Sequence, residues 1–346
     1  MDISKIDNNF AERRDISSKT DIRFYNVEES PFKVYGVFKE NGLFRRMPED
    51  VAKKVSDGVY FLHTNTAGGR VRFRTNSPYI AFKAEMSCIG RMPHFALAGS
   101  AGFDLYADNV YVNTYVPPFN IENGYDGCID IGSEEIRDIT VNFPLYSNVK
   151  ALYIGLSEGA KIEAPTPYIC EKPVAFYGSS ITQGGCASRP GTAYTSIVSR
   201  HFNCDYINLG FSGNAKAEDE MIDYIKGLDM SVFILDYDHN APNEDHLRAT
   251  HEKMFTAIRK SHPSLPILIM SRPKHILNSY ELERLEIITA TYNNAVANGD
   301  KNVYLLTGAE LTALCGNEGT VDNCHPTDFG FASMAQAVIS VIKKIF

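Results

Sequence analysis

A few residues placed far apart in this chain have the types needed for acyl transfer through a covalent nucleophile. Ser180 follows the apolar stretch 174–178 (Val-Ala-Phe-Tyr-Gly), where a buried strand would stop and leave a hydroxyl on rigid backbone facing a cleft. Gly184 and Gly185 come next and permit a tight turn. A serine hydroxyl is a weak nucleophile and needs a base within hydrogen-bond reach. The stretch 321–330 (Val-Asp-Asn-Cys-His-Pro-Thr-Asp-Phe-Gly) supplies one near the C-terminus. Asp322 stands three residues before His325, so on one turn its carboxylate can hold the far imidazole nitrogen and stabilise the imidazolium. Each piece also has an ordinary structural use. Ser180 would suit a plain strand-to-helix turn, and Thr327 or Asp328 the cap of a last helix. Capping gives no reason for Asp322 or His325.

The elements that must position these groups change character midway along the chain. Short apolar stretches at 173–178, 204–210, 231–236, 266–270 and 302–306 are separated by helical stripes. One stripe is Ala217, Met221, Tyr224, Ile225 and Leu228; another is Leu285, Ile288, Tyr292 and Ala295. A last one, from about Thr327, carries Met334, Val338, Val341, Ile342 and Ile345. Strands alternating with helices predict a parallel sheet covered on both faces, hence a three-layer α/β domain over 172–346. Ligands of such sheets gather beyond the carboxyl ends of the strands. Ser180, Gly213, Asn240 and Arg272 all fall just past one.

Between about 32 and 156 the apolar period is two instead, as in 70–74 (Arg-Val-Arg-Phe-Arg), and Gly, Pro and Asn break the stretches. Many short strands without helices predict an antiparallel β-sandwich or jelly roll over 1–165. A polar, proline-bearing join at 157–167 follows it. Asp104 lies between Phe103 and Leu105 in the stretch 102–106 (Gly-Phe-Asp-Leu-Tyr), so period two sends it to the opposite face. A carboxylate buried there needs a partner. It finds one either in a turn of its own domain or by docking on the α/β domain, which would bring Tyr106 to the cleft as a substrate contact. Tyrosines 106, 111, 115, 125 and 146 could stack on sugar rings, but aromatic residues also suit strands, and the chain has no tryptophan. His63 and His94 stand apart from other ligand types and read as surface or packing residues. No metal and no cofactor is expected.

At 346 residues, two domains are expected. A net charge of −8 argues against nucleic acid or an anionic membrane as partner. The polar N-terminus carries no signal-like apolar region, and no apolar run is long enough to cross a bilayer. Seven cysteines without a C-x-x-C pair suit reduced thiols, so a cytoplasmic protein is expected.

Taken together, residues 173–346 resemble the SGNH (GDSL-like) hydrolase superfamily. The stretch 178–184 (Gly-Ser-Ser-Ile-Thr-Gln-Gly) is similar to its first block, 208–214 to its second, 235–240 to its third, and Asp322 with His325 to its last. The resemblance implies a catalytic triad of Ser180, Asp322 and His325. It also implies an oxyanion hole made by the N–H groups of Ser180 and Gly213 and the side chain of Asn240. Ser179 stands where the family usually has aspartate, and Asn240 lies in Asp-His-Asn rather than Gly-x-Asn-Asp. His239 has no aspartate at fixed spacing and is not read as the base. Residues 102–106 match the marker of a strand-rich domain found ahead of such hydrolases. A jelly roll in that place is similar to carbohydrate esterases that remove acetyl groups from plant cell-wall sugars.

What the resemblance implies is a serine esterase acting through an acyl-enzyme on O-acetylated oligosaccharides. Gln183 and Arg272 are expected as rim contacts to the substrate, although Arg272 equally suits a surface ion pair. The same triad would serve an acyltransferase or an esterase of a small non-sugar metabolite. An inert sugar-binding protein would have lost a catalytic position, and none is missing. The sequence leaves association into a homo-oligomer open.

Overall fold

The computed structural model describes residues 3–7 and 16–346. In its second half, the strand Cys170–Gly178 is covered on both faces. Val174 and Phe176 turn toward one apolar layer and Ala175 and Tyr177 toward the other, the alternation a two-sided strand requires. Cys204–Gly210 pairs parallel to it on one side and Val232–Asp236 on the other; Ile267–Met270 and Val303–Leu306 continue the sheet outward. The chain thus steps first to one side of Cys170–Gly178 and then to the other, and the switch point lies beyond the end of that strand. Gly178 is level with both Gly210 and Asp236, so three loops leave the sheet together at that spot.

Helices Tyr194–Phe202 and Asp328–Ile342 cover one face of this sheet; Asp219–Lys226, Glu244–Ser261 and Ser279–Ala297 cover the other. Ala217, expected on a helical stripe, lies ahead of its helix with φ +55°. No helix among the described residues is long and apolar enough to cross a membrane.

The first half is built from two antiparallel sheets. One places Val149–Ser157 and Tyr79–Met86 between Ile22–Asn26 and Gly124–Asp130. The other runs Ile162–Glu163, Arg70–Thr75, Arg137–Asn142, Phe103–Ala107, Val110–Tyr115, with Lys33–Tyr35 also paired to Arg70–Thr75. Their inner faces meet in a core that includes Phe73, Phe82, Phe103, Val141 and Ile154.

This half also holds two helices, Glu49–Val55 and Asp57–Leu62, where only strands were expected. Their buried Ala52, Val55, Val59 and Leu62 repeat at three and four residues, the helical period, with Glu49 and Asp50 in the first turn and Lys53 and Lys54 in the last turn of the first helix. They leave the sandwich and join the α/β core beside Met221, Ile222 and Ile225. Ala67, Phe95, Leu145 and Tyr146 likewise belong to the core on the opposite face. The last sandwich strand ends at Glu163 and the first parallel strand begins at Cys170, but the apolar core does not divide there.

Asp104 closes the seam between the halves by docking. It is fully buried and accepts hydrogen bonds from Asn142 Nδ2 (2.8 Å), the Gly191 N–H (2.8 Å) and Arg189 Nη1 (2.9 Å). Removing one member of such a group leaves the others unpaired. We expect D104A to lower the unfolding free energy by roughly 2–4 kcal/mol, read from urea denaturation. R189A should add little on top of it. A loss below about 1 kcal/mol would show that the seam is held elsewhere.

Candidate active site

Ser180 opens the one-turn helix Ser180–Gln183 directly after the first parallel strand. Ser179 caps that turn, its Oγ accepting from the Ile181 N–H at 3.2 Å. A serine thus does the capping for which an aspartate would also serve. The turn can lie across the end of Cys204–Gly210 only because Gly210 lacks a side chain: a Cβ there would sit 2.2 Å from the Gln183 nitrogen. Beneath it, Asp236 accepts from Thr182 Oγ1 (2.8 Å) and the Tyr194 hydroxyl (3.2 Å). Burial raises its carboxyl to about 7, against the pull of those two donors.

The loop before the last helix brings in the base. Asp322 Oδ1 accepts from the N–H groups of Cys324 (3.0 Å) and His325 (2.7 Å), folding the loop back on itself. Its Oδ2 is then 2.7 Å from His325 Nδ1, and His325 Nε2 is 3.0 Å from Ser180 Oγ. The three-residue spacing works because one oxygen holds the backbone while the other holds the ring. Partial burial pushes the Asp322 carboxyl up, but its bonds from His325 outweigh this and leave it below the ordinary carboxylate value.

Beside the nucleophile, Gly213 has φ +69°, a conformation glycine adopts without strain. Asn240 Oδ1 accepts the Ala215 N–H at 3.2 Å, which fixes the orientation of the amide. The Ser180 and Gly213 N–H groups and Asn240 Nδ2 have no hydrogen-bond acceptor among the described residues. These three groups, expected as an oxyanion hole, are left free to donate to a ligand.

Three expected substrate contacts lie elsewhere. Gln183 is fully buried: its Nε2 donates to Asn65 Oδ1 and the Leu145 carbonyl, both 3.2 Å, and its Oε1 accepts the Ser212 N–H at 3.1 Å. It holds the oxyanion loop instead of forming a rim. Arg272 is committed to an internal ion cluster, with Nε 3.3 Å from Asp238 Oδ2 and Nη1 3.1 Å from Glu281 Oε1. Arg284 Nε meets the same Asp238 at 2.7 Å. Burial pushes the Asp238 carboxyl up, but the two guanidinium groups bring it down to about 2. This cluster anchors the turn that carries Asn240, which accounts for an aspartate in Asp-His-Asn. Tyr106 is buried in the seam, its hydroxyl accepting from Arg189 Nη1 at 2.5 Å and its ring beneath Arg200. Docking of its segment therefore carries it onto the turn Pro190–Thr192 and not to the cleft.

The first half nevertheless reaches the site through residues that the sequence did not place there. The Tyr146 hydroxyl donates to the Ser180 carbonyl at 3.1 Å. Buried Arg46 donates to the carbonyls of Gly210 (2.5 Å), Asn208 (3.1 Å) and Leu62 (2.8 Å), beneath the oxyanion loop. His94 is exposed at the mouth, its Nε2 3.6 Å from Asp322 Oδ2 and its ring centroid 5.8 Å from that of His325. It is the surface residue that the sequence allowed, but one placed beside the triad. Arg46, set between Arg45 and Met47 with Phe44 just before, was the one with a local signal, a charge inside an apolar stretch. His63 does pack inside, against Arg45. His239 is half-buried, and desolvation followed by Arg272 lowers its pKa to about 4.

A five-stranded parallel sheet with a serine turn at its switch point and a histidine loop beside it is the architecture of an SGNH-type hydrolase. The chain belongs to the GDSL-like lipase/acylhydrolase family, whose model matches residues 171–343. Residues 22–162 match the GxDLY model, the N-terminus of SGNH-hydrolase-type esterases. A GDSL-like lipase structure from Bacteroides ovatus is 28% identical, with a TM-score of 0.83, over 94% of this chain and 98% of its own. The salicylyl-acyltransferase SsfX3 of a tetracycline biosynthetic pathway shares the fold at 18% identity and a TM-score of 0.78, with the same coverage of 94% and 98%. A family two carbohydrate esterase from Clostridium thermocellum, solved with cellohexaose, shares it at 15% identity and a TM-score of 0.59, over 80% of this chain and 92% of its own. Curated protein sequences give no match.

Proposed function

We propose that this protein removes O-acetyl groups from carbohydrates through an acyl-enzyme on Ser180. The observation that carries the reading is the hydrogen-bonded line Ser180–His325–Asp322 beside three uncommitted donors. His325 Nε2 takes the hydroxyl proton as Ser180 Oγ attacks the ester carbonyl. The Ser180 and Gly213 N–H groups and Asn240 Nδ2 receive the oxyanion, and Asp322 stabilises the imidazolium. The imidazolium then protonates the departing sugar hydroxyl. In the second half, water attacks the acyl carbonyl as His325 takes its proton, and that proton passes to Ser180 Oγ as the ester bond to serine breaks and acetate leaves.

Two features support this choice within the family. The side chains of Asp322 and His325 remain 34% and 26% exposed, so water can reach the acyl-enzyme that hydrolysis requires. The two-domain fold is shared with carbohydrate esterases, including an acetyl xylan esterase from Butyrivibrio proteoclasticus. The fold is equally that of an acyltransferase, so the test must separate the two. Acetylated xylo-, manno- and gluco-oligosaccharides are incubated with the enzyme, with and without an added alcohol, beside an activated acetyl ester. We expect free acetate from at least one sugar series, whether or not the alcohol is present. Cleavage of the activated ester alone, or acetyl transfer to the alcohol in place of acetate release, would overturn the reading.

A further inference from the structure

We propose that the mouth of the active site binds one zinc ion through His94, Cys186 and His325, and that the ion switches the esterase off reversibly. One potential ligand atom from each of the three lies within 4.8 Å of the other two. They come from three separated segments: a loop of the sandwich half, the chain just past the nucleophile turn, and the histidine loop. Two imidazoles and a thiol form a set suited to zinc and unsuited to magnesium or calcium, which prefer oxygen.

Bond lengths of about 2.0–2.3 Å place tetrahedral zinc ligands roughly 3.3–3.8 Å apart, so the group must contract by about 1 Å. His94 can make that movement, because its side chain is 42% exposed. Three protein ligands leave a fourth position to water. Cys186 gives up its thiol proton to solvent when it binds the ion.

Occupation would stop catalysis whichever nitrogen of His325 is used. Nε2 is the atom that must accept the Ser180 proton, and Nδ1 is the atom held by Asp322. Cys186 has no part in the acyl-transfer steps, which makes it the informative position. The inhibitory half of the proposal rests on the esterase reading; the binding site does not.

The test uses chelator-treated full-length protein. Cobalt is titrated first, as a coloured stand-in, and followed by its thiolate-to-metal charge-transfer band and by zinc competition. Activity on an activated acetyl ester is then measured with zinc and after added chelator. We expect one equivalent to bind, turnover to fall with occupancy, and chelator to restore it. C186S should keep its basal turnover, lose the charge-transfer band and bind zinc at least about tenfold more weakly. S180A should bind cobalt like the unaltered protein. Absence of the charge-transfer band, or equal sensitivity of C186S and the unaltered enzyme to zinc, would overturn the site. A chain without esterase activity would still give or lack the cobalt band, so the two readings fail separately.

Discussion

Replacing Ser180 with alanine should reduce ester turnover by about 10⁴-fold or more while the protein stays folded. The adjacent serine hydroxyl cannot stand in for it. Ser179 is fully buried and its oxygen is engaged with the Ile181 N–H, so it cannot approach a carbonyl in the cleft. The folded state loses little, because the bond that Ser180 Oγ makes is the one to His325. Loss of one such bond changes stability by about 1 kcal/mol. Activity on an activated acetyl ester, read beside the urea midpoint, decides the matter. Retention of more than a few per cent of turnover by folded S180A would remove Ser180 from the mechanism.

Changing His325 to alanine should be nearly as damaging, and the double change S180A/H325A should be scarcely worse than either alone. Both side chains serve one proton transfer, so removing the second after the first takes away nothing further. Additive losses would mean that the 3.0 Å contact between them is not the working one. The fold should tolerate this change too, because the loop keeps its Asp322 bonds to the backbone of Cys324 and His325 and its bridge from Thr320 to Pro326.

Much of this site is legible in the amino-acid sequence, because its information is local. The five parallel strands fall where short apolar stretches stop at Gly or at a polar turn. The three-residue interval from Asp322 to His325 contains its own geometry. Gln183 misled because its position one turn past the nucleophile says nothing about what lies opposite, and Asn65 and Leu145 come from the other half of the chain. The place of the surface residue His94 at the mouth was illegible for the same reason, since Asp322 and His325 lie in the other half. The helices Glu49–Val55 and Asp57–Leu62 are too short for a helical period to stand out against the strands around them. For Asp104, period two found the face correctly, and burial then required a partner. It could not say that Tyr106, two residues on and on the same face, would be consumed by that same docking.

The two family models meet between residues 162 and 171, yet the apolar core runs across that join. Cutting there would uncover the apolar flank of Asp219–Lys226 and withdraw Arg46 from under the Gly210 carbonyl and Tyr146 from the Ser180 carbonyl. A catalytic half expressed alone would be left with a sticky surface and a slack oxyanion loop. Grafting a foreign front domain onto it would fail for the same reason. Specificity on this scaffold is therefore open to redesign by point substitution and loop growth around the mouth, with the two halves kept as a pair.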